Sequence, residues 1–262
     1  MNVTLPSLLH SPDAKILDAG GWFIPFNQAT HVVDLMPYET RGGVLRLDPL
    51  PGERFSKATW YQLNFLDAGF KLPFPDKFFD FSVCGHTVED LADPVSLLSE
   101  LRRVSKAGYI ETPSRLCEQT IGVSDRMISE RGHPHHHWIV EIENNRLVLS
   151  SKSASLLGSR RQHAVPLRTY EAMQARTPNL SSMCFHWSGD FDWKVATDSE
   201  ATRRARALVS SLGISATDRA LDLLVRKLRC LKRSLLHQAA RSKSDWWQEM
   251  LTISRPYSTI PL

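Results

Sequence analysis

The sequence predicts an α/β protein built on a doubly wound, mostly parallel sheet, with an inserted β-hairpin and a helical C-terminal appendage. Three observations predict it. Two short apolar runs, Lys15 to Asp18 (KILD) and His31 to Asp34 (HVVD), each end in a carboxylate, as strands buried on both faces do where they enter a turn. A well-marked helix lies between two further runs of the same kind. Beyond residue 115 the pattern changes, first to a β-hairpin and then to a long basic helix.

The elements follow in order. Lys15 to Asp18 runs into Gly20-Gly21, and His31 to Asp34 is followed by Pro37. Trp60 to Leu66 is a third strand and Phe79 to Cys84 a fourth, after the turn residues Pro73-Phe74-Pro75-Asp76. Asp93-Pro94 places a capping carboxylate before a first-turn proline, and Val95, Leu97, Leu98, Leu101 and Val104 recur at helical spacing up to Lys106. Gly108 to Thr112 makes the fifth strand. Trp138 to Glu143 and Arg146 to Lys152, joined by Asn144-Asn145, read as a hairpin. A further strand falls at Ser182 to Trp187 or Phe191 to Val195. The chain is helical from Asp198, with Leu221, Leu224, Val225, Leu228, Leu231 and Leu235 on one face, which is expected to dock. This divides the chain into a core at residues 1–115, an insertion at 116–197 whose hairpin completes the sheet, and an appendage at 198–262.

Composition narrows the class. A chain of 262 residues with 42% hydrophobic and 23% charged residues suits one packed domain and excludes collagen-like, coiled-coil and disordered chains. No stretch reaches the roughly 18 apolar residues of a membrane span and no secretory signal is visible, so a cytoplasmic location is expected. Cys84, Cys117, Cys184 and Cys230 are far apart, which suggests neither disulfides nor a thiolate zinc site. From Thr202 to Lys243, 11 Lys and Arg face two Asp, so a net +9 sits on a body of −5. Such a helix suits a peripheral anionic membrane surface or an acidic partner. A nucleic-acid partner is not expected, because no recognised motif accompanies the charge.

In an open parallel sheet, ligands bind outside the carboxyl ends of the strands. Those ends carry Asp18, Gly20 and Gly21, then Asp34, Asn64 to Asp67, and Gly85-His86. Glycines admit a close backbone approach, and a carboxylate after strand two can accept from a ribose diol, so the edge reads as a nucleoside site.

These residues resemble the class I S-adenosylmethionine-dependent methyltransferases. The likeness is carried by ILDAGG (Ile16 to Gly21), VVDLMP (Val32 to Pro37) and the segment from LPFPD (Leu72 to Asp76) through the helix and fifth strand to Ser114. It implies a Rossmann-like methyltransferase fold with S-adenosylmethionine as cofactor. Asp18, Gly20 and Gly21 would hold the methionine moiety, Asp34 the ribose, and Asn64 or Asp67 the adenine amino group, with Gly85 and His86 lining the transfer cleft. The usual further glycine is replaced at Trp22 or Phe23, and about ten residues join Gly21 to strand two, too few for the usual helix. The mouth is therefore rebuilt around Trp22, Phe23, Pro25 and Phe26.

Gly132 to Trp138 holds four histidines, at 133, 135, 136 and 137. In an extended segment His135 and His137 would share a side, within reach of a common metal or acceptor hydroxyl. Because an alcohol must lose a proton as it attacks the sulfonium methyl, the cluster is read as a source of a base rather than as a metal centre. His86, His137 and His135 are the candidate bases, Glu141 is the orienting carboxylate, and no metal ligand is assigned. Glu89-Asp90 reads as a solvated charge pair. Trp187, Asp190, Asp192 and Trp193 have a composition suited to a sugar. The expected activity is O-methylation of a hydroxyl on a small molecule or saccharide. The alternative is a catalytically silent methyltransferase-like subunit that binds its partner through the basic helix. The oligomeric state is left open.

Overall fold

A computed structural model describes residues 11–43, 48–49, 51–67, 69–124, 131–155, 160–177 and 179–236. The main sheet contains β1 (Ile16–Ala19), β2 (His31–Asp34), β3 (Trp60–Gln62), β4 (Phe81–Gly85) and β5 (Ala107–Pro113). A hairpin follows, β6 (Trp138–Glu143) and β7 (Arg146–Ser151), and then β8 (Ser182–Ser188) and β9 (Trp193–Val195). The helices are α1 (Pro94–Val104), α2 (Arg115–Glu118), α3 (Lys152–Ser155), α4 (Arg160–His163), α5 (Leu167–Arg176), α6 (Asp198–Ser211) and α7 (Ala216–Leu236).

The main sheet has six strands in the order β3-β2-β1-β4-β5-β8. The strands β3, β2, β1, β4 and β5 are mutually parallel, and β8 closes the edge antiparallel to β5. The chain runs outward from β1 to β2 and β3, then returns across β1 to β4 and β5. The strand order therefore reverses between β1 and β4, where an open α/β sheet forms its binding crevice. The short apolar runs belong in the centre because both faces are covered: Ile16, Leu17, Val32, Val33, Phe81 and Ile110 are buried. Helix α1 covers one face through Leu97, Leu98, Leu101 and Val104, all fully buried. Its start is as read, with the Asp93 side chain accepting from the Val95 amide and Pro94 in the first turn.

The hairpin has the expected bounds, and its turn places Asn144 and Asn145 at φ 49° and 58°, the left-handed pair that a two-residue turn demands. It does not complete the main sheet. Its strands form a separate three-stranded sheet, β6-β7-β9, while the sixth position of the main sheet goes to β8. Each strand pairs with the edge its own hydrophobic face can reach, and that is a tertiary matter. Both candidate late strands exist, one in each sheet.

The expected docking of the last helix is also reversed. In α7, Leu221, Leu224, Leu228 and Leu231 are exposed, whereas Asp222 and Arg226 are buried. Asp222 accepts from the Arg168 amide at 3.0 Å and pairs with Arg226 at 2.7 Å, and Arg229 reaches Glu171 at 3.1 Å. A polar seam at i, i+4 and i+7 thus holds the helix to α5. No helix among the described residues is long and apolar enough to cross a membrane.

This arrangement predicts opposite outcomes for neighbouring substitutions on α7. Asp222→Ala strips the buried Arg226 of its carboxylate and should cost about 3 kcal/mol. Leu224→Ser, on the exposed face, should stay within about 0.5 kcal/mol of the parent. Urea denaturation of the two variants checks the docking; a larger loss for Leu224→Ser would restore the leucine interface.

Candidate cofactor cleft and acceptor-side cluster

A cleft of about 330 Å³ opens at the carboxyl ends of β1 and β4, lined by Asp18, Gly20, Gly21, Ile24 to Asn27, Val83 and Gly85. Its floor is made by the two glycines. Gly20 has φ +86°, and a Cβ there would lie 1.8 Å from Thr87 Oγ1; at Gly21 it would lie 2.3 Å from Asp18 Oδ2. Neither position tolerates a side chain. Gly85 is the opposite case, since a Cβ there would meet nothing within 4 Å, so the β4 side of the cleft is open.

No helix joins β1 to β2. Instead the two strand-end carboxylates hold the loop: Asp18 Oδ2 accepts from the Phe26 amide at 2.8 Å, and Asp34 Oδ2 accepts from the Trp22 amide at 3.0 Å. Asp34 Oδ1 takes the Met36 amide at 2.8 Å. The Trp22 indole is anchored in turn, donating to the Thr40 carbonyl at 2.6 Å. Asp34 is therefore buried and bound to loop amides. Trp22 likewise braces the loop from behind.

Burial pushes the Asp18 carboxyl up to about 7, against the lowering effect of the Phe26 amide, with the charge of Asp34 adding to the rise. Burial pushes Asp34 up to about 6, against the Met36, Trp22 and Leu35 amides. Asn64 and Asp67 bond to each other at 2.7 Å in the turn after β3 and do not line the cleft. Leu35 and Leu66 are exposed near them, as are Phe23 and Ile24 on the glycine loop. These side chains give the carboxyl edge an apolar rim.

His86 follows β4 in the left-handed region, at φ 51°, a conformation that costs a non-glycine residue energy and is concentrated at functional sites. The Glu111 carbonyl holds it there, accepting from the His86 amide at 2.8 Å. The half-exposed ring stands between two carboxylates, with Nδ1 3.4 Å from Glu89 Oε1 and Nε2 3.7 Å from Glu111 Oε1. Glu89 foremost, then Glu111 and Asp90, raise its pKa against the effect of burial. Glu89 is no solvated residue: it is 1% exposed, and neither carboxylate oxygen has a hydrogen-bond partner.

The histidine segment is a turn, with the His136 amide donating to the His133 carbonyl at 3.2 Å. The expected shared side for His135 and His137 is thus lost. The rings of His133, His135 and His136 cluster instead, with centroids 4.4 to 6.0 Å apart. His137 is exposed at the start of β6, its amide donating to the Glu89 carbonyl at 2.7 Å. Glu141 orients no histidine, because Arg115 at 2.6 Å and Arg204 at 3.6 Å take it.

Sequence reasoning missed Glu118 and Thr87. Glu118 is fully buried and pairs with Lys152 at 2.6 Å and His136 at 2.7 Å. Its only sequence signal was a single charged residue between Leu116 and Val123. The sugar-like segment also resolves differently. Ser188 pairs with Ala107 at the start of β5, so Trp187 to Trp193 lies at the opposite end of the sheet from the cleft. There Trp187 is buried, and Asp190 and Asp192 pair with Lys77 and Arg102.

Residues 44–110 match the family model described as a methyltransferase domain. The match covers about a quarter of the chain. S-adenosylmethionine is the cofactor that a methyltransferase domain uses, and the doubly glycine-floored cradle at the switch point, with its apolar rim, fits such a nucleoside sulfonium. The matched segment runs from before β3 through β4 and α1 into β5 and begins after the glycine loop.

Solved structures are similar at low identity. YcgJ from Bacillus subtilis shows 16% identity over 42% of this chain and 50% of its own, with a TM-score of 0.29. An S-adenosylmethionine-dependent methyltransferase from Aquifex aeolicus shows 18%, over 39% and 57%, with a TM-score of 0.29. One from Mesorhizobium loti shows 15%, over 76% and 78%, with a TM-score of 0.32. The chain thus spans little more than half the length of the first two. No curated protein matches it.

The buried carboxyls predict a pH dependence. A carboxyl whose pKa rises on folding binds its proton more tightly in the folded chain, so it stabilises most below the unfolded value and progressively less up to the folded one. For Asp18 that window runs from 3.8 to about 7. Asp18→Asn keeps an acceptor for the Phe26 amide but abolishes the titration. Its stability relative to the parent should improve as pH rises through this window and level off above it. Urea midpoints measured across the range check this; a difference independent of pH would contradict a buried, proton-binding Asp18.

Proposed function

We propose that this chain is an S-adenosylmethionine-dependent methyltransferase that methylates a hydroxyl group on a small molecule. The observation that carries the reading is the glycine-floored cleft at the β1/β4 switch point, adjoining the segment that matches a methyltransferase domain. In this reading the methionine end of the cofactor lies over Gly20 and Gly21. The adenine is covered by the apolar rim of Ile24, Leu35 and Leu66, and Gly85 gives room beside β4. Bound cofactor supplies an electrophilic methyl group on a sulfonium.

The protein's share of the chemistry is to align the acceptor and take its proton. His86 suits the second task. It stands at the end of β4, half exposed, between Glu89 and Glu111, which stabilise the imidazolium formed when the acceptor hydroxyl is deprotonated. His135 and His137 are poorer candidates, since neither is oriented by Glu141. The remote position of Trp187 to Trp193 removes the support for a saccharide in particular. The exposed leucines of α7, flanked by Lys227 and Lys232, form the surface we assign to contact with an anionic membrane or an acidic partner. A silent subunit is the less favoured reading, because the altered glycine loop is internally braced rather than collapsed.

Two outcomes test this reading. Calorimetric titration with S-adenosylmethionine and S-adenosylhomocysteine should show saturable binding that Gly85→Val weakens at least tenfold while the thermal transition is unchanged, since the added side chain meets only cleft. Asp34→Ala is a poor control, because it would release the Trp22 loop. With an acceptor in hand from a screen that starts with alcohols and polyols, His86→Gln should lower kcat roughly 10²- to 10⁴-fold and leave cofactor affinity within about threefold. Binding unaffected by Gly85→Val would place the cofactor elsewhere, and an unchanged kcat would remove His86 as the base.

A further inference from the structure

A second cluster lies on the loop that follows β4 and the turn that precedes β6. His136 is buried, and its Nδ1 stands 2.7 Å from Glu118 Oε1. Glu118 is also paired with Lys152 through its other oxygen and is a committed acceptor, so His136 donates from Nδ1 and turns Nε2 away from Glu118. His136 Nε2 faces Asp90 Oδ1 at 3.5 Å. His135 Nε2 lies 3.9 Å from the same oxygen, and the donor atoms of all three residues fall within 4.8 Å of one another. Two imidazole nitrogens and a carboxylate oxygen converge on one point, and a cation is what satisfies such a set.

We propose that Asp90, His135 and His136 form a binding site for a divalent transition-metal ion, with Glu118 as the carboxylate that orients His136. The geometry agrees with the chemistry. Ligand atoms about 2.0–2.1 Å from a tetrahedral ion stand roughly 3.4 Å apart, close to the 3.5 and 3.9 Å already present without the ion. A carboxylate behind a ligating histidine is the usual device for fixing its tautomer. Two imidazoles and one carboxylate suit Zn²⁺, Co²⁺ or Ni²⁺ rather than Mg²⁺ or Ca²⁺, and three protein ligands leave a coordination position for water or a ligand oxygen. The neighbouring trio of Cys117, Glu118 and His133 is less suited, because both Glu118 oxygens are engaged by His136 and Lys152. The site depends on no assumption about methyl transfer.

Cobalt is the direct probe. The full chain, purified without a histidine tag and stripped with a chelator, is titrated with Co²⁺ by calorimetry and visible absorption. The expected result is one equivalent bound, with d–d bands of a low-coordinate nitrogen and oxygen site, displaced by Zn²⁺. His135 is exposed, so His135→Ala should fold normally and weaken binding at least tenfold, and Asp90→Asn should do the same. Glu118→Gln should weaken it about 10- to 100-fold through loss of orientation, whereas Cys117→Ser should leave it unchanged. The proposal is overturned if Co²⁺ affinity is the same in the parent and His135→Ala. It is equally overturned if a thiolate charge-transfer band appears and is lost in Cys117→Ser, or if no ion binds and His136 proves to be an imidazolium held between Asp90 and Glu118.

Discussion

Two buried carboxylates at the ends of β1 and β2 replace the helix that would ordinarily follow a glycine turn. Asp18 and Asp34 accept the amides of Phe26, Trp22 and Met36, groups that would otherwise be left unpaired against the sheet. Desolvation raises both carboxyls, and the amide bonds offset part of that cost. Everything at the switch point depends on this arrangement. It presses Gly21 against Asp18 and keeps the rebuilt Trp22–Phe26 segment along the edge of the cleft.

The acceptor side is organised by another buried carboxylate. Glu118, on the short helix α2, gathers Lys152 from the far end of the hairpin and His136 from the turn before it. The hairpin and the histidine turn are thereby pinned to the loop carrying His86, Glu89 and Asp90, with the His137 and Trp138 amides donating to the Glu89 carbonyl. A buried charge of this kind is retained only when it is paired and hydrogen-bonded, and here the pairing brings together four segments far apart in sequence.

Periodicity carried the fold well because most of the signals were local. HVVD is β2 from end to end, Asp93-Pro94 starts α1, and Asn144-Asn145 makes the expected turn. The errors arose where one local pattern admits two tertiary outcomes. Two apolar runs joined by Asn144-Asn145 specify the β6–β7 hairpin and are silent on which sheet receives it. The leucine repeat of α7 specifies an amphipathic helix, yet Asp222, Arg226 and Arg229 on the neighbouring face make the contacts with α5 and its first residues.

The sequence by itself determined the strands up to β5, the glycine turn after β1 and the residue types available at the carboxyl edge, because strand-end carboxylates, glycines and caps act within a few residues of themselves. Only the tertiary structure decided what those side chains do. Asp34 turned inward because the loop amides compete for it, Glu141 went to two arginines, and His135 parted from His137 because the segment turns instead of running extended. Charged groups bond to whatever reaches them first in space, and that distance is set by packing among segments that no local pattern records.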